Sequence, residues 1–140
     1  MQDRLKFVGI TSRQAGIKEK SARLTALVSE LPAAMDAYDR AKANLAAQER
    51  LLDERDDILV AAAEGKNAEA RKAALLVSRQ GDRDWQQLTN IVNTVRAQGF
   101  DAALALERLK REWTALTIQI HIFIATLGFL AGADEKQEGE

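Results

Sequence analysis

Residues 85–130 read WQQLTNIVNTVRAQGFDAALALERLKREWTALTIQIHIFIATLGFL, and the spacing inside this stretch decides the fold. Apolar or small residues stand at Trp85, Leu88, Val92, Val95, Gly99, Ala102, Leu106, Leu109, Trp113, Leu116, Ile120, Phe123, Leu127 and Leu130. The steps alternate three and four without a slip, the rule for the inward positions of a heptad repeat. A helix of that span rises about 1.5 Å per residue and is roughly 70 Å long, too long for one short partner to bury.

A companion stripe lies upstream at Ala34, Tyr38, Ala41, Leu45, Gln48, Leu52, Arg55, Leu59 and Ala62. Its spacing is the same, although Gln48 and Arg55 interrupt it, and one partly polar stripe can specify register. Gly65 after the alanine run 61–63, with Asn67 following, reads as a helix stop that uses a left-handed glycine and then a new N-cap. Gly81-Asp82 repeats that grammar, and Gly99 to Asp101 does so more weakly. Ser29 reads as a cap, with Pro32 in the first turn after it, where a missing N–H does little harm. The expected helices are 30–63, 68–79 and 83–131, with Gly99 a candidate break. Residues 21–28 read as helix, and Arg4 to Thr11 as a short strand or a loose arm. The expected fold is all-α: a long antiparallel helical hairpin of coiled-coil type, oligomeric, with 68–79 as a bracketing helix at the turn. The expected organisation is a basic N-terminal arm or short helix over 1–28, the hairpin domain over 29–133 and an acidic disordered tail over 134–140.

Composition agrees with helix. Of 140 residues, 46% are apolar, 29% charged and only 5% aromatic, and proline occurs once. A formal net charge of −1 gives no strong field toward nucleic acid or anionic lipid. Without cysteine there is no disulfide framework, thiolate metal site or Cys nucleophile. Residues 1–12 lack the apolar core and cleavage site of a signal peptide, so the expected compartment is the cytoplasm.

From Trp113 to Ala133 there is no Asp, Glu, Lys or Arg, a run long enough for a membrane span. Lys110 and Arg111 flank it on one side, Asp134 and Glu135 on the other, as a cytoplasmic N-terminal side requires. Thr114, Thr117, Gln119, His121 and Thr126 weaken insertion, and the heptad phase runs straight through. Residues 117–124 also alternate with period two and are rich in isoleucine, which supports a strand pairing with Leu5 to Ile10. The heptad covers more residues, and helix is the reading adopted.

The chemistry-bearing residues are few. His121 is the only histidine, so a metal site built on several histidines has no second imidazole to draw on, and this one stands on an apolar face between Ile120 and Ile122. Asp53, Glu54, Asp56 and Asp57 cluster with Arg50 and Arg55, which reads as a solvated, ion-paired helix face. No phosphate-binding or dinucleotide glycine motif occurs, and no cofactor is expected. Trp85 and Trp113 sit on the seam as core anchors. Trp85, Leu88, Val92, Val95, Leu106, Leu109, Trp113, Leu116, Ile120, Phe123 and Leu127 are therefore the expected oligomer or partner interface. Lys18, Lys20, Arg23, Lys66, Arg71 and Lys72 are the candidate nucleic-acid contacts.

The segment Gly65-Lys66-Asn67-Ala68-Glu69-Ala70-Arg71-Lys72-Ala73-Ala74-Leu75 follows a long charged helix. A Trp comes after Asp82 and Asp84, and then a second long helix. Over residues 40–116 this resembles small coiled-coil proteins that tailed phages and prophages encode beside recombination or single-strand-binding genes. The isoleucine-rich segment 117–124 departs from that pattern. The resemblance implies a non-enzymatic accessory or inhibitor that works through protein contacts, on a DNA module or a host-defence complex. The alternatives are a C-terminally anchored membrane protein, such as a lysis component, and a DNA-binding protein using the basic N-terminal segment.

Overall fold

The structure is a computed structural model that describes the backbone of residues 2–138 and the side chains of residues 14–132. It is all-helical: α1 (Gln2–Ala62), α2 (Ala68–Gly81) and α3 (Arg83–Glu138). The chain divides into two compact units, Met1–Ala33 with Leu106–Glu140, and Ala34–Ala105.

Helix α1 departs from the expected start at Ser29. Ser29 lies inside the helix, and its hydroxyl donates to the Ala26 carbonyl at 2.9 Å instead of capping. Pro32 also lies inside, where it removes one backbone donor, an interior position that costs about 3 kcal/mol. The helix persists because its inward stripe does not stop at Ser29. Ile17, Lys20, Leu24, Leu27 and Leu31 precede Ala34 in the same three–four spacing, all buried or half-buried. Arg4 to Thr11, read as strand or loose arm, belong to the same helix.

The central stop occurs where the sequence places it. Asn67 caps α2, its side-chain oxygen accepting the Ala70 N–H at 2.8 Å. Gly65 acts differently from expectation, since no described glycine has a positive φ. A Cβ at Gly65 would stand 2.7 Å from the Arg71 nitrogen and 2.9 Å from the Ala70 Cβ. Glycine is required there by the close approach of the chain to the first turn of α2. Gly81 is the last residue of α2 rather than the residue beyond it. Gly99 breaks nothing, because α3 runs through it.

Residues 117–124 are helical, so the strand alternative is excluded. Period two is outweighed by a three–four stripe that continues on both sides of the segment. Helix α3 runs to Glu138, past the Ala133 end expected for the helical domain.

In the unit formed by Met1–Ala33 and Leu106–Glu140, the buried side chains are Leu27, Leu106 and Ile120. Leu27 is fully enclosed, a contribution of about 2 kcal/mol from removing its surface from water. Arg23 and Glu112 join the two chain segments there, Nη2 to Oε2 at 2.9 Å, and Arg23 also reaches Glu30 at 2.9 Å. In the unit Ala34–Ala105 the buried side chains are Leu59, Val92 and Val95. Arg96 donates to Glu49 there at 3.1 Å.

Candidate functional site

Two features could carry function: a polar clasp around α2, and the apolar faces that the helices turn outward.

The clasp begins with Asp56 near the end of α1. Arg79, in the last turn of α2, donates from Nε and Nη2 to the two Asp56 oxygens, each at 2.7 Å. Trp85 Nε1–H, from the first turn of α3, donates to the same carboxylate at 3.0 Å. One carboxylate thus holds all three helices. The arginine pair, followed by the indole bond, keeps the Asp56 carboxyl below the usual carboxylate range against a desolvation that pushes the other way. The Arg79 guanidinium lies 5.7 Å from the Trp85 ring centroid, within cation–π reach.

Asp82 is the second centre. It ends α2 and caps α3, its Oδ1 accepting the Trp85 N–H at 2.7 Å. Arg55 donates to both Asp82 oxygens, with Nε at 3.1 Å. The Arg55 pair, and next the Trp85 N–H, hold the Asp82 carboxyl low. Arg55, which breaks the apolar stripe in sequence, breaks it to reach this cap. The cluster 53–57 is therefore solvated only in part: Arg50 pairs with Glu54 on the surface, while Asp56 faces Arg79 and Trp85. The clasp fixes geometry, and its guanidinium and carboxylate groups are matched in pairs. Among the described residues no group of His, Cys, Asp and Glu has the arrangement of a metal site.

The predicted association residues are placed as follows. Val92, Val95, Leu106 and Ile120 are buried, and Trp85, Leu88, Leu109, Leu116, Phe123 and Leu127 half-buried, within a single chain. Trp113 is the most open at 37%. Phe123 has the Lys20 ammonium 5.7 Å from its ring centroid, and a Cβ on Gly16 would touch its ring at 4.0 Å. The seam thus has its own chain as partner.

The sequence reading missed the face that remains outside. Ile118, Ile122 and Phe129 are 54%, 56% and 76% exposed. With Ala115 and Ala125 they form a second three–four stripe on α3, two residues out of phase with the seam and so about 200° around the helix. The signal was present in the sequence as the same alternation that suggested a strand. On α2, Leu76 and Val77 are exposed at 56% and 68%, with Lys72 one turn before Leu76. A groove of about 390 Å³ in the same unit is lined by Leu51, Ile58, Leu88 and Ile91 beside Arg55.

Of the candidate nucleic-acid contacts, Lys66, Arg71 and Lys72 are exposed around the start of α2, and Lys18 is exposed on α1. Lys20 covers Phe123, and Arg23 is held by Glu112 and Glu30. Arg23 is therefore occupied as an ion-pair partner.

No protein-family model, curated protein or solved structure matches the chain.

Proposed function

We infer that this chain is a non-enzymatic coiled-coil protein that acts by presenting a rigid helical face to another protein. It serves as an accessory or inhibitor of the kind tailed phages encode and works in the host cytoplasm. The observation that carries this reading is the outward face of α2. Leu76 and Val77 expose apolar surface on a helix pinned by the Asn67 cap and by the bidentate Arg79–Asp56 pair. Exposed apolar side chains on a fixed element, with a polar rim here supplied by Lys72, are the composition of a docking patch. An antiparallel course of α1 and α3, with α2 as the bracket, supports the same reading. In one unit Arg23 pairs with Glu112 while the earlier Lys20 meets the later Phe123. In the other, Glu49 pairs with Arg96 while the later Asp56 meets the earlier Trp85.

The test is affinity capture from the host with the full chain and with a Leu76→Glu, Val77→Glu variant. The expected result is a discrete protein retained by the native chain and lost by the variant, at unchanged circular dichroism. Identical capture by both would overturn the reading.

One observation favours a membrane-anchored protein instead: α3 contains a segment long and apolar enough to cross a bilayer. Against it, α1 sets Lys20 over Phe123, within that same segment. Insertion would require α3 to shed the charged helix packed on it. Recovery of the protein in carbonate-washed membranes would favour this second reading.

A further inference from the structure

Helix α2 buries no side chain. The buried side chains of its unit, Leu59, Val92 and Val95, all lie on α1 and α3, and α2 adds only the half-buried Ala74, Leu75, Ser78 and Arg79. Among the described residues Arg79 is the one side chain of α2 that bonds a side chain of either neighbour, through Asp56 at 2.7 Å. The Gln80 carbonyl accepts one further bond, from the exposed Gln86 amide. We propose that α2 is a strap that opens and melts as a unit while the α1 and α3 segments of Ala34–Ala105 stay folded, with Arg79 as its latch. The proposal rests on the docking reading for its use and adds the regulation of that face. Leu76 and Val77 form one presented surface only while the strap is closed.

First, shared apolar burial is what makes elements open together, and α2 stands outside the core of its unit. Its 14 residues are at the length where a helix alone is marginal in water, so α2 loses its helix when it leaves its neighbours. Second, opening strands no polar group. Asp56 keeps the Trp85 indole N–H, and Asp82 keeps both Arg55 and the Trp85 backbone N–H that caps α3. Asp56 and Arg79 already keep a quarter to a third of their side-chain surface in water, so solvent readily replaces their pair. Third, the covalent chain allows it. At 1.5 Å per residue α2 is about 21 Å long, whereas the same residues extended reach about 46 Å. The melted strap spans the same gap with slack, and α1 and α3 need not move.

Amide hydrogen exchange of the full chain at pH 7, read by mass spectrometry, tests the strap without any partner. The amides of 70–81 should exchange about a hundredfold faster, or more, than those of 52–60 and 88–97. Arg79→Gln keeps helix propensity and removes the latch. It should speed 70–81 about tenfold further and leave the two flanking segments unchanged. Salt at about 0.5 M should speed the strap in the native chain and leave the variant as it is, because the latch is an ion pair that salt screens. Equal exchange in all three segments would overturn the proposal, since α2 would then open only with its whole unit. So would an Arg79→Gln variant that speeds all three segments together, or none. The docking reading fails separately. An independently exchanging α2 whose Leu76→Glu, Val77→Glu variant still captures the same host protein sinks docking and leaves the strap. Capture lost by that variant, with exchange uniform across the unit, leaves docking and sinks the strap.

Discussion

Asp56 and Arg79, 23 positions apart on α1 and α2, form a bidentate pair with both contacts at 2.7 Å, and the Trp85 indole N–H of α3 completes it at 3.0 Å. Both partners keep a quarter to a third of their side-chain surface, so solvent screening reduces what the pair contributes. Asp56→Asn should lower stability by about 1–2 kcal/mol, the value of a partly exposed charged hydrogen-bond network. Glu54→Gln, which removes only a surface i,i+4 pair with Arg50, should change it by about 0.3 kcal/mol. Urea unfolding of the two variants checks the contrast, and a double-mutant cycle with Arg79→Lys isolates the pair.

The stop between α1 and α2 makes a graded prediction. Asn67→Ala removes the acceptor for the Ala70 N–H and should cost about 1 kcal/mol. Gly65→Ala should cost more, about 1–3 kcal/mol, because its Cβ would press on backbone at 2.7 Å rather than on a flexible side chain. Alanine at Gly99, where nothing lies within 4 Å of the added carbon, should instead stabilise α3 by up to about 1 kcal/mol. Thermal melts should place Gly99→Ala highest, Asn67→Ala below it and Gly65→Ala lowest.

Acid should weaken the fold through three carboxylates. Arg79 holds Asp56 low, Arg55 holds Asp82 low, and Arg23 holds Glu112 low. A carboxyl whose folded value is depressed contributes its stability in full above its unfolded value, near 4, and loses it as pH falls through the folded value. The melting temperature should therefore change little from these groups between pH 7 and 5 and fall below about pH 4. The triple variant Asp56→Asn, Asp82→Asn, Glu112→Gln should start lower at pH 7 and flatten that acid limb. An equal acid loss in native and triple variant would refute the assignment.

The residues explain why part of this was legible in sequence and part was not. The seam of α3 was readable because each inward position from Trp85 to Leu130 is set by helical periodicity, a local property, and the buried Val92, Val95, Leu106 and Ile120 all fall on it. Asn67 was readable because a cap bonds three residues away. Ser29 and Pro32 misled because a helix start and a tolerated interior proline share the same residues. Only the phase of Leu24, Leu27, Leu31 and Ala34 across them tells the two apart. The clasp was not legible: Asp56 meets Arg79 and Trp85 across 23 and 29 positions, and nothing local marks which member of the 53–57 cluster turns inward. The outer stripe was missed, since Ile118 and Ile122 serve both a period of two and a second helical face, and only the first was read.

An aspartate scan from residue 115 to 129, read by melting temperature, should give two patterns on one helix. Ile120 is 9% exposed, and a carboxylate there is buried without a partner, so Ile120→Asp should cost several kcal/mol or unfold its unit. Phe123→Ala, which removes the ring beside Lys20 and Gly16, should cost about 2–3 kcal/mol, less than full burial because the ring is half-exposed. Ile118→Asp and Ile122→Asp place their charge in water and should leave the melting temperature of the dilute chain within about 0.5 kcal/mol equivalent. If Ile118→Asp and Ile122→Asp instead cost as much as Ile120→Asp, the outer stripe would be a packed face and not a solvated one.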